Sequence, residues 1–327
     1  SSLNGSMRLM SRVSQAEPGL SSFTNALVEC VPNFSEGRRR DVMDAIQVAA
    51  ESVSAAMVLD RHTDAVHNRM VLTIAGAPGP VAEAAFRATA RATELIDLDQ
   101  HRGVHPRIGA TDVVPFVPLG ATDMRVCVDL AVRVGRRIAA ELDLPVYLYG
   151  EAAQTAARRR LPDLRRGEYE RLRDNLAANP RLAPDFGPPR VGKAGATAVG
   201  ARPPLIAYNV TLASSDLGLA RDIARRIRES SGGLPAVQAR GFATADPNVV
   251  QVSMNLLDTR RTSLATVFER IRQAAAEQGV EVRASELVGM APAEALIDVA
   301  RQALRFDRLD AEAVLETRLL EQALRVR

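Results

Sequence analysis

The residues best suited to proton chemistry are the four histidines, and all of them lie between positions 62 and 105 of the 327-residue chain. They are His62, His67, His101 and His105. Imidazole titrates near neutral pH, so one histidine can both accept and donate a proton during a reaction. Histidines without a common purpose would be scattered along the chain. The clustering therefore predicts a functional site within residues 62–105.

The most distinctive stretch covers residues 101–112 and immediately precedes an apolar strand. Its turn-forming residues, Gly103, Pro106 and Gly109, predict a shaped loop that exposes polar side chains rather than a helix. We expect this loop to present His105 for acid–base catalysis. A histidine held only by structural hydrogen bonds is the alternative.

A metal site is a second interpretation of the cluster, because His101 and His105 are four residues apart and two more histidines lie nearby. Histidines at that spacing share one face of a helix, but Gly103 and Pro106 disfavour a helix here. An HExxH partner is also missing from the sequence. We therefore expect no metal, and a metal-dependent hydrolase remains an alternative function.

The elements that must position the cluster follow a repeated order. In the first half the strand-like runs and helical patterns give β-α-β-β-α-β: 27–31, 38–51, 57–59, 70–75, 81–96 and 113–117. A helix at 123–142 and a strand at 145–149 follow. In the second half the same order covers 205–212, 216–228, 236–240, 249–256, 263–278 and a short strand near residue 282. The sequence thus predicts an α/β (α+β) protein with two such subdomains.

The stretch between the halves, residues 179–204, carries six prolines and four glycines. Proline removes backbone donors and glycine removes rigidity, so no regular structure is predicted there. It is either a plain linker or a functional loop beside a cleft. The predicted division is a loose arm or cloning remnant at 1–25, an N-terminal subdomain at 26–183, a connection at 184–204 and a C-terminal subdomain at 205–327.

Composition excludes several classes of protein. No apolar run is long enough for a membrane span, and the start of the chain lacks the apolar core of a signal peptide, so we expect a cytoplasmic protein. The 42 basic and 39 acidic residues nearly cancel, and no basic stripe with aromatic residues predicts nucleic-acid binding. Cys30 and Cys127 lack the spacing of a disulfide framework or zinc site. The basic residues are arginines except Lys193, which suits carboxylate recognition.

Two local patterns have both structural and functional interpretations. Ser35 is predicted to cap the helix at 38–51, whose first N–H groups could also receive an anion. In the second half, polar residues such as Asn209, Ser253 and Asn255 interrupt apolar strands. One face of those strands must then meet a polar ligand or the other subdomain.

At these residues the sequence resembles the glutamate formimidoyltransferase family, including the transferase half of the bifunctional formimidoyltransferase-cyclodeaminase. The resemblance runs from about residue 27 to residue 290. Its most specific strings are Glu29-Cys-Val-Pro-Asn-Phe-Ser-Glu-Gly37, His105-Pro-Arg-Ile-Gly-Ala-Thr-Asp112, Pro145-Val-Tyr-Leu-Tyr-Gly-Glu-Ala152 and Gly195-Ala-Thr-Ala-Val-Gly-Ala-Arg202.

The resemblance implies transfer of a formimidoyl group between the amino nitrogen of glutamate and N5 of tetrahydrofolate, the co-substrate, in histidine degradation. It also implies that His105 is the catalytic residue, that the two sheets face inward around a ligand groove with the helices outside, and that the protein is a homodimer. A folate-binding paralogue without turnover is the alternative. The folate-contacting residues implied are Gly187, Pro188, Pro189, Arg190, Val191, Gly192, Lys193, Ala194 and Gly195.

Glutamate and the glutamyl tail of folate both carry carboxylates, so arginines are expected to clamp them. Further polar residues in the matching segments complete the expected substrate contacts. The candidates are Asn33, Asp60, Asn68, Arg69, Arg107, Asp112, Arg202 and Asn209.

Overall fold

The structure is a computed structural model that describes residues 26–325, so the arm predicted at residues 1–25 lies outside it. The strands of its first sheet are β1 Leu27–Cys30, β2 Asn33–Phe34, β3 Ala56–Asp64, β4 Arg69–Gly76, β5 Thr111–Leu119, β6 Val146–Gly150 and β7 Thr197–Ala201. The helices of this half are α1 Arg40–Glu51, α2 Pro78–Leu95, α3 Met124–Leu142, α4 Leu161–Leu164 and α5 Glu168–Asn175. Strand β2 and helices α4 and α5 were not predicted from the sequence.

Across the first sheet the strands lie in the order β3, β4, β1 with β2, β5, β7 and β6. β1 and β2 are consecutive segments of one path, because each pairs with both β4 and β5. The β5–β7 and β7–β6 pairs are parallel, and the other pairs are antiparallel. Strands β1, β3, β4 and β5 with helices α1 and α2 confirm the predicted β-α-β-β-α-β unit. Helix α3 and strands β6 and β7 extend it.

Strand β7 lies inside the stretch for which no regular structure was predicted, so that prediction is wrong for residues 197–201. Every residue of the strand is buried, because β5 and β6 flank it on both sides. Its small residues give a weak strand signal. A Cβ at Gly200 would approach the Tyr149 carbonyl oxygen to 2.5 Å, so close packing requires the glycine that made the segment resemble a loop.

The main core lies between the first sheet and helices α1 to α3. Helix α1 buries Val42, Met43, Ile46 and Ala50, one face of a 3.6-residue repeat. The alternate side chains of β5 to β7 point to the other face, where Tyr147 joins a smaller apolar cluster that includes Leu172 of α5. Helix α5 therefore covers part of the face that α1 to α3 leave open.

The second sheet is formed by β8 Ile206–Leu212, β9 Val237–Ala243, β10 Val250–Leu256 and β11 Val282–Val288, in the order β11, β8, β10, β9. All its pairs are antiparallel. The helices are α6 Leu217–Ile227, α7 Leu264–Ala276, α8 Ala293–Leu304 and α9 Leu315–Arg325. The β-α-β-β-α-β order predicted for this half is confirmed. No helix between residues 26 and 325 is both long and apolar enough to cross a membrane.

One face of the second sheet is polar. Along β10 every second residue is buried in the core, while Gln251, Ser253 and Asn255 are half-buried on the other face. The pairing register puts Phe242 on this polar face, opposite Gln251. The ring of Phe242 lies edge-on to the ring of His67, with 5.9 Å between centroids. The polar face therefore meets the first subdomain at one of the clustered histidines.

Candidate active site

His105 lies in the loop between α2 and β5 and lines a small pocket with residues from its own segment and from two other parts of the chain. The pocket brings together the predicted catalytic histidine and five of the eight predicted substrate contacts: Asn33, Asn68, Arg69, Arg107 and Asp112. Phe34, Ser35, His67 and His101 complete its lining. Three of the four clustered histidines thus meet, and His62 does not line the pocket.

The loop that carries His105 packs too closely against its neighbours for larger residues at two glycines. A Cβ at Gly103 would lie 2.4 Å from the His67 carbonyl oxygen, and one at Gly109 would lie 1.9 Å from the Ala196 carbonyl oxygen. Glycine allows this close backbone approach. The predicted shaped loop is therefore fixed between the turn before β4 and the start of β7.

His101 holds the loop in place. Its Nε2 lies 3.0 Å from the Asn68 carbonyl oxygen, and its Nδ1 accepts a hydrogen bond of 3.2 Å from Nε of Arg107. Nε2 must therefore carry the proton, which leaves the ring neutral. Burial lowers the pKa of His101, in keeping with this state. These contacts fit a structural role.

Asn68 joins the turn before β4 to two neighbouring segments. Its Oδ1 accepts a hydrogen bond of 2.9 Å from the Gly37 amide, and its Nδ2 donates one of 3.0 Å to the Arg102 carbonyl oxygen. Its backbone has a φ of 50°, a left-handed conformation that asparagine tolerates better than most residues. Both ends of the amide are used within the protein, so the side chain sets the shape of the pocket.

Arg107 was predicted to clamp a substrate carboxylate, but the structure gives its guanidinium two carboxylates of the protein. It donates to Glu170 at 2.7 and 2.9 Å and to Glu168 at 2.8 Å. The hydrogen bond to Glu170 raises the pKa of Arg107. The pairing ties the His105 loop to the start of α5, which is a positioning role.

Two other guanidinium groups in this region remain incompletely paired. Arg69 donates from Nη2 to Oδ1 of Asn33, and Arg165 donates from Nη2 to Oδ2 of Asp112. The Nε atoms of both arginines are buried and have no hydrogen-bond partner among the residues that the structure describes. Asp112 also accepts a bond of 2.8 Å from the Ile108 amide. Arg69 therefore lines the pocket with an unused donor, and Arg165, with another, pairs with the pocket residue Asp112.

Arg165 was missed by the sequence analysis. It lies just after the short helix α4, in a segment with arginines at 158, 159, 160, 165 and 166. Nothing in that spacing distinguishes it from its exposed neighbours. Its position is set by α4 and α5, which pack across the open face of the sheet.

This positive charge acts on His105. Burial lowers the pKa of His105 to about 2, and the charges of Arg69, Arg165 and His67 act in the same direction. Burial and the charge of Arg165 also lower the pKa of Arg69 to about 10. His105 is therefore a neutral imidazole, and an anion bound beside these charges would be stabilised.

The turn before β4 presents a second histidine backed by a carboxylate. Nδ1 of His67 lies 2.5 Å from Oδ2 of Asp64, and the two imidazole rings of His67 and His105 are 6.1 Å apart between centroids. Oδ1 of Asp64 accepts hydrogen bonds from the Val66 and His67 amides at 2.8 and 2.9 Å. These bonds lower the pKa of Asp64, although burial opposes them.

The loop between β2 and α1 departs from its prediction. Ser35 does not cap α1: its hydroxyl donates to the Gly109 carbonyl oxygen at 2.7 Å. Oε1 of Glu36 instead accepts from the amides of Arg38 and Arg39, both at 2.9 Å. The serine was available to the His105 loop because the neighbouring carboxylate satisfies the donors before the helix.

The remaining predicted contacts lie outside the pocket. Asp60 is on β3, and Arg202 follows β7, where it donates to the Pro203 carbonyl oxygen at 3.1 Å. Asn209 lies on the second sheet, where its Nδ2 donates to Glu286 at 2.9 Å. Their predicted substrate contacts remain predictions.

The predicted folate segment, residues 187–195, also lies outside the pocket but borders the His105 loop. The carbonyl oxygen of Ala194 accepts a hydrogen bond of 2.8 Å from the Ala110 amide. Arg190 pairs with Asp143 at 2.6 Å and Lys193 with Asp97 at 3.2 Å, both at the surface. Folate binding by this segment remains a prediction.

Metal ligation was the alternative use of the histidines. Within residues 26–325 no group of three or more His, Cys, Asp or Glu side chains is arranged to hold a metal ion. Cys30 and Cys127 are both buried free thiols, and burial raises their pKa values.

Two β-α-β-β-α-β subdomains and a histidine beside arginines define an α/β protein whose pocket carries groups for acid–base chemistry. Sequence comparison is more specific. The formiminotransferase domain, N-terminal subdomain, matches residues 27–202, and the formiminotransferase domain matches residues 207–323. The chain belongs to the formiminotransferase family. The boundary between the two matches also assigns β7 to the first subdomain.

Curated relatives match over most of the chain. A glutamate formimidoyltransferase of Thermoplasma acidophilum is 46% identical over 91% of this chain and 99% of its own length. One of Streptococcus pyogenes is 42% identical over 90% of this chain and 99% of its own. The formimidoyltransferase-cyclodeaminase of Mus musculus is 46% identical over 84% of this chain and 52% of its own.

Proposed function

We propose that this protein transfers the formimidoyl group between N-formimidoyl-L-glutamate and N5 of tetrahydrofolate, with His105 as the proton-transfer residue. Relatives that match nearly end to end are glutamate formimidoyltransferases. The observation that carries the proposal for this chain is the pocket in which His105 lies with Arg69, while Arg165 pairs with the pocket residue Asp112. The Nε atoms of both arginines are buried, and the charges of both lower the pKa of His105.

The arginines account for substrate capture. A carboxylate accepts hydrogen bonds from guanidinium nitrogens, and such charged bonds are among the strongest available to a protein. The unused Nε donors of Arg69 and Arg165 are already desolvated, so a carboxylate that reaches them replaces no protein partner. Asn33 and Asp112 hold the two guanidinium groups in position by accepting from their Nη2 atoms.

Bound carboxylates also prepare His105 for the reaction. Burial and the positive charges of Arg69 and Arg165 depress the pKa of His105. A carboxylate beside them cancels part of that effect, so the pKa of His105 rises on substrate binding toward the range in which general bases work. The imidazole then accepts the proton that N5 of the folate must lose when it attacks the amidine carbon.

Folate is proposed to lie along residues 187–195, which the family resemblance implies and which border the His105 loop at Ala194. Gly187 and Gly195 both have positive φ, at 86° and 73°, so the backbone can pass close to its neighbours. The glutamyl tail would compete with Asp143 and Asp97 for Arg190 and Lys193 at the surface.

A spectrophotometric assay with N-formimidoyl-L-glutamate and tetrahydrofolate tests the proposal. Turnover should appear with the wild-type protein, with and without a chelator, and should be largely lost with His105→Asn. Binding of tetrahydrofolate without product would instead identify a folate-binding paralogue. Activity that is lost on chelation and restored by zinc would identify a metal-dependent hydrolase.

We further propose that the protein acts in the cytoplasm as a homodimer on small-molecule substrates, in histidine degradation and one-carbon metabolism, without nucleic-acid or membrane partners. The wild-type protein in analytical ultracentrifugation should sediment as a dimer. A monomer at the concentrations used in the assay would contradict that part of the proposal.

A further inference from the structure

His67 and Asp64 form a carboxylate–imidazole pair that the reaction described above does not yet use. The carboxylate lies at Nδ1 of the ring, so Nδ1 donates and Nε2 is the free position. Asp64 itself is held by two backbone amides, which keeps it aimed at the ring. The His67 side chain is 29% exposed, so Nε2 is not sealed from the pocket or from solvent.

The two histidines of the pocket have opposite electrostatic surroundings. His105 is surrounded by the cations Arg69 and Arg165, which oppose a second proton on its ring. His67 instead has the carboxylate of Asp64 at 2.5 Å from its Nδ1. A site with one histidine beside cations and another beside a carboxylate offers a separate group for each of the two proton transfers of a reaction. The groups that face His67 are Asp64, His105 and, from the second sheet, the uncharged ring of Phe242.

Formimidoyl transfer needs both roles at once. The attacking N5 of folate must lose a proton, and the departing glutamate nitrogen must gain one, because an amine anion is a poor leaving group. A single histidine can serve both only by moving a proton across the tetrahedral intermediate between the two steps. Two histidines about 6 Å apart can serve one nitrogen each.

We infer that His67, backed by Asp64, is a second catalytic residue that protonates the departing glutamate nitrogen, while His105 deprotonates N5 of the folate. The inference rests on the proposed function.

The proton balance closes over one turnover. The N5–carbon bond forms and the N5 proton goes to Nε2 or Nδ1 of His105. The bond between carbon and the glutamate nitrogen breaks, and that nitrogen takes the Nε2 proton of His67. After the products leave, His105 loses one proton to solvent and His67 regains one. In the reverse reaction the two roles exchange.

A leaving-group experiment separates this role from a structural one. In N-formimidoyl-4,4-difluoro-L-glutamate the fluorines lower the basicity of the departing nitrogen, which then needs less help from an acid. His67→Gln should lower kcat for the ordinary substrate by about 100-fold, the lower end of general acid catalysis. The difluoro substrate should recover most of that loss in His67→Gln, but not the loss in His105→Asn.

Matched carboxylate variants test the backing group. Asp64→Asn keeps the size of the side chain and should lower kcat with the same recovery on the difluoro substrate. Asp44→Asn is the control, because Asp44 lies on α1, pairs with Arg61 at 2.6 Å and is half exposed. Its kcat should stay near the wild-type value. A His67→Gln enzyme with near-wild-type kcat, or with an equal defect on both substrates, would overturn the inference.

The same data separate this inference from the proposed function. Wild-type protein without turnover would refute the function and the inference together, whereas active wild type with an active His67→Gln refutes only the inference. Nitrogen-15 NMR of the histidine rings in the wild-type protein gives a readout without variants. We expect Nδ1 of His67 to be protonated throughout, and a neutral Nε2–H tautomer there would contradict the assignment.

Discussion

Arg69 combines a cost to stability with a role in binding, and Arg69→Met tests both together. The guanidinium is buried, its Nε has no partner among residues 26–325, and its pKa falls from 12.5 to about 10. Each pKa unit corresponds to about 1.4 kcal/mol, so burial and the neighbouring charge of Arg165 penalise the charged side chain by roughly 3 kcal/mol. Methionine fills a similar volume without the charge.

The variant should therefore be more stable than the wild type in the absence of substrate. Loss of the bond from Arg69 leaves the buried Oδ1 of Asn33 unpaired, which costs about 1–2 kcal/mol. The remaining gain of about 1–2 kcal/mol corresponds to a Tm increase of roughly 2–6 °C for a domain of this size. Loss of a charged hydrogen bond to a substrate carboxylate, about 1.5–3 kcal/mol, should raise KM roughly 10- to 100-fold.

Calorimetry of the substrate-free protein and steady-state kinetics at neutral pH provide the two measurements. Arg61→Met is the matched control, because Arg61 lies on the adjacent strand β3, pairs with Asp44 and is 26% exposed. It should change neither KM nor Tm by comparable amounts. A lower Tm for Arg69→Met together with an unchanged KM would refute the interpretation of Arg69 as an uncompensated cation that awaits a carboxylate.

Three further predictions follow from the site. His105→Asn should lower kcat by about 10²- to 10⁴-fold with little change in folate affinity. His101→Asn should mainly lower the stability of the protein. Equal losses of kcat in the two variants, without a loss of stability in His101→Asn, would contradict these separate roles. The folded pKa of His105 is about 2 against 6.5 in its ordinary state, so unfolded chains bind the extra proton as the pH falls below 6.5. The free energy of unfolding of the wild type should then decline, relative to that of His105→Asn, by up to about 1.4 kcal/mol per pH unit. If urea denaturation gives the two proteins the same pH dependence of this free energy between pH 6.5 and 4, the prediction is wrong. Amide exchange at residues 187–195 should slow at saturating folate; unchanged exchange there, with protection elsewhere, would mark that segment as a linker.

The helices and strands of both β-α-β-β-α-β units were predictable because each has its own apolar periodicity. Helix α1 and strand β10 show the reason, since one repeats every three to four residues and the other alternates strictly. Strand β7 was not predictable, because its small residues are strand-forming only between β5 and β6. Propensity in strands depends on the neighbours that the sheet supplies.

Within the site, the sequence alone determined the parts that lie in short, unusual strings. The histidine cluster, the glycine-shaped loop and the choice of His105 all follow from residues close together in the chain, and so did the family resemblance. Tertiary structure alone decided which charges surround that histidine. It pairs Arg107 with Glu168 and Glu170, and it places Arg165 near His105 although the two are 60 residues apart in the sequence. The reason is physical: electrostatic influence depends on distance and burial in space, and sequence separation does not encode either.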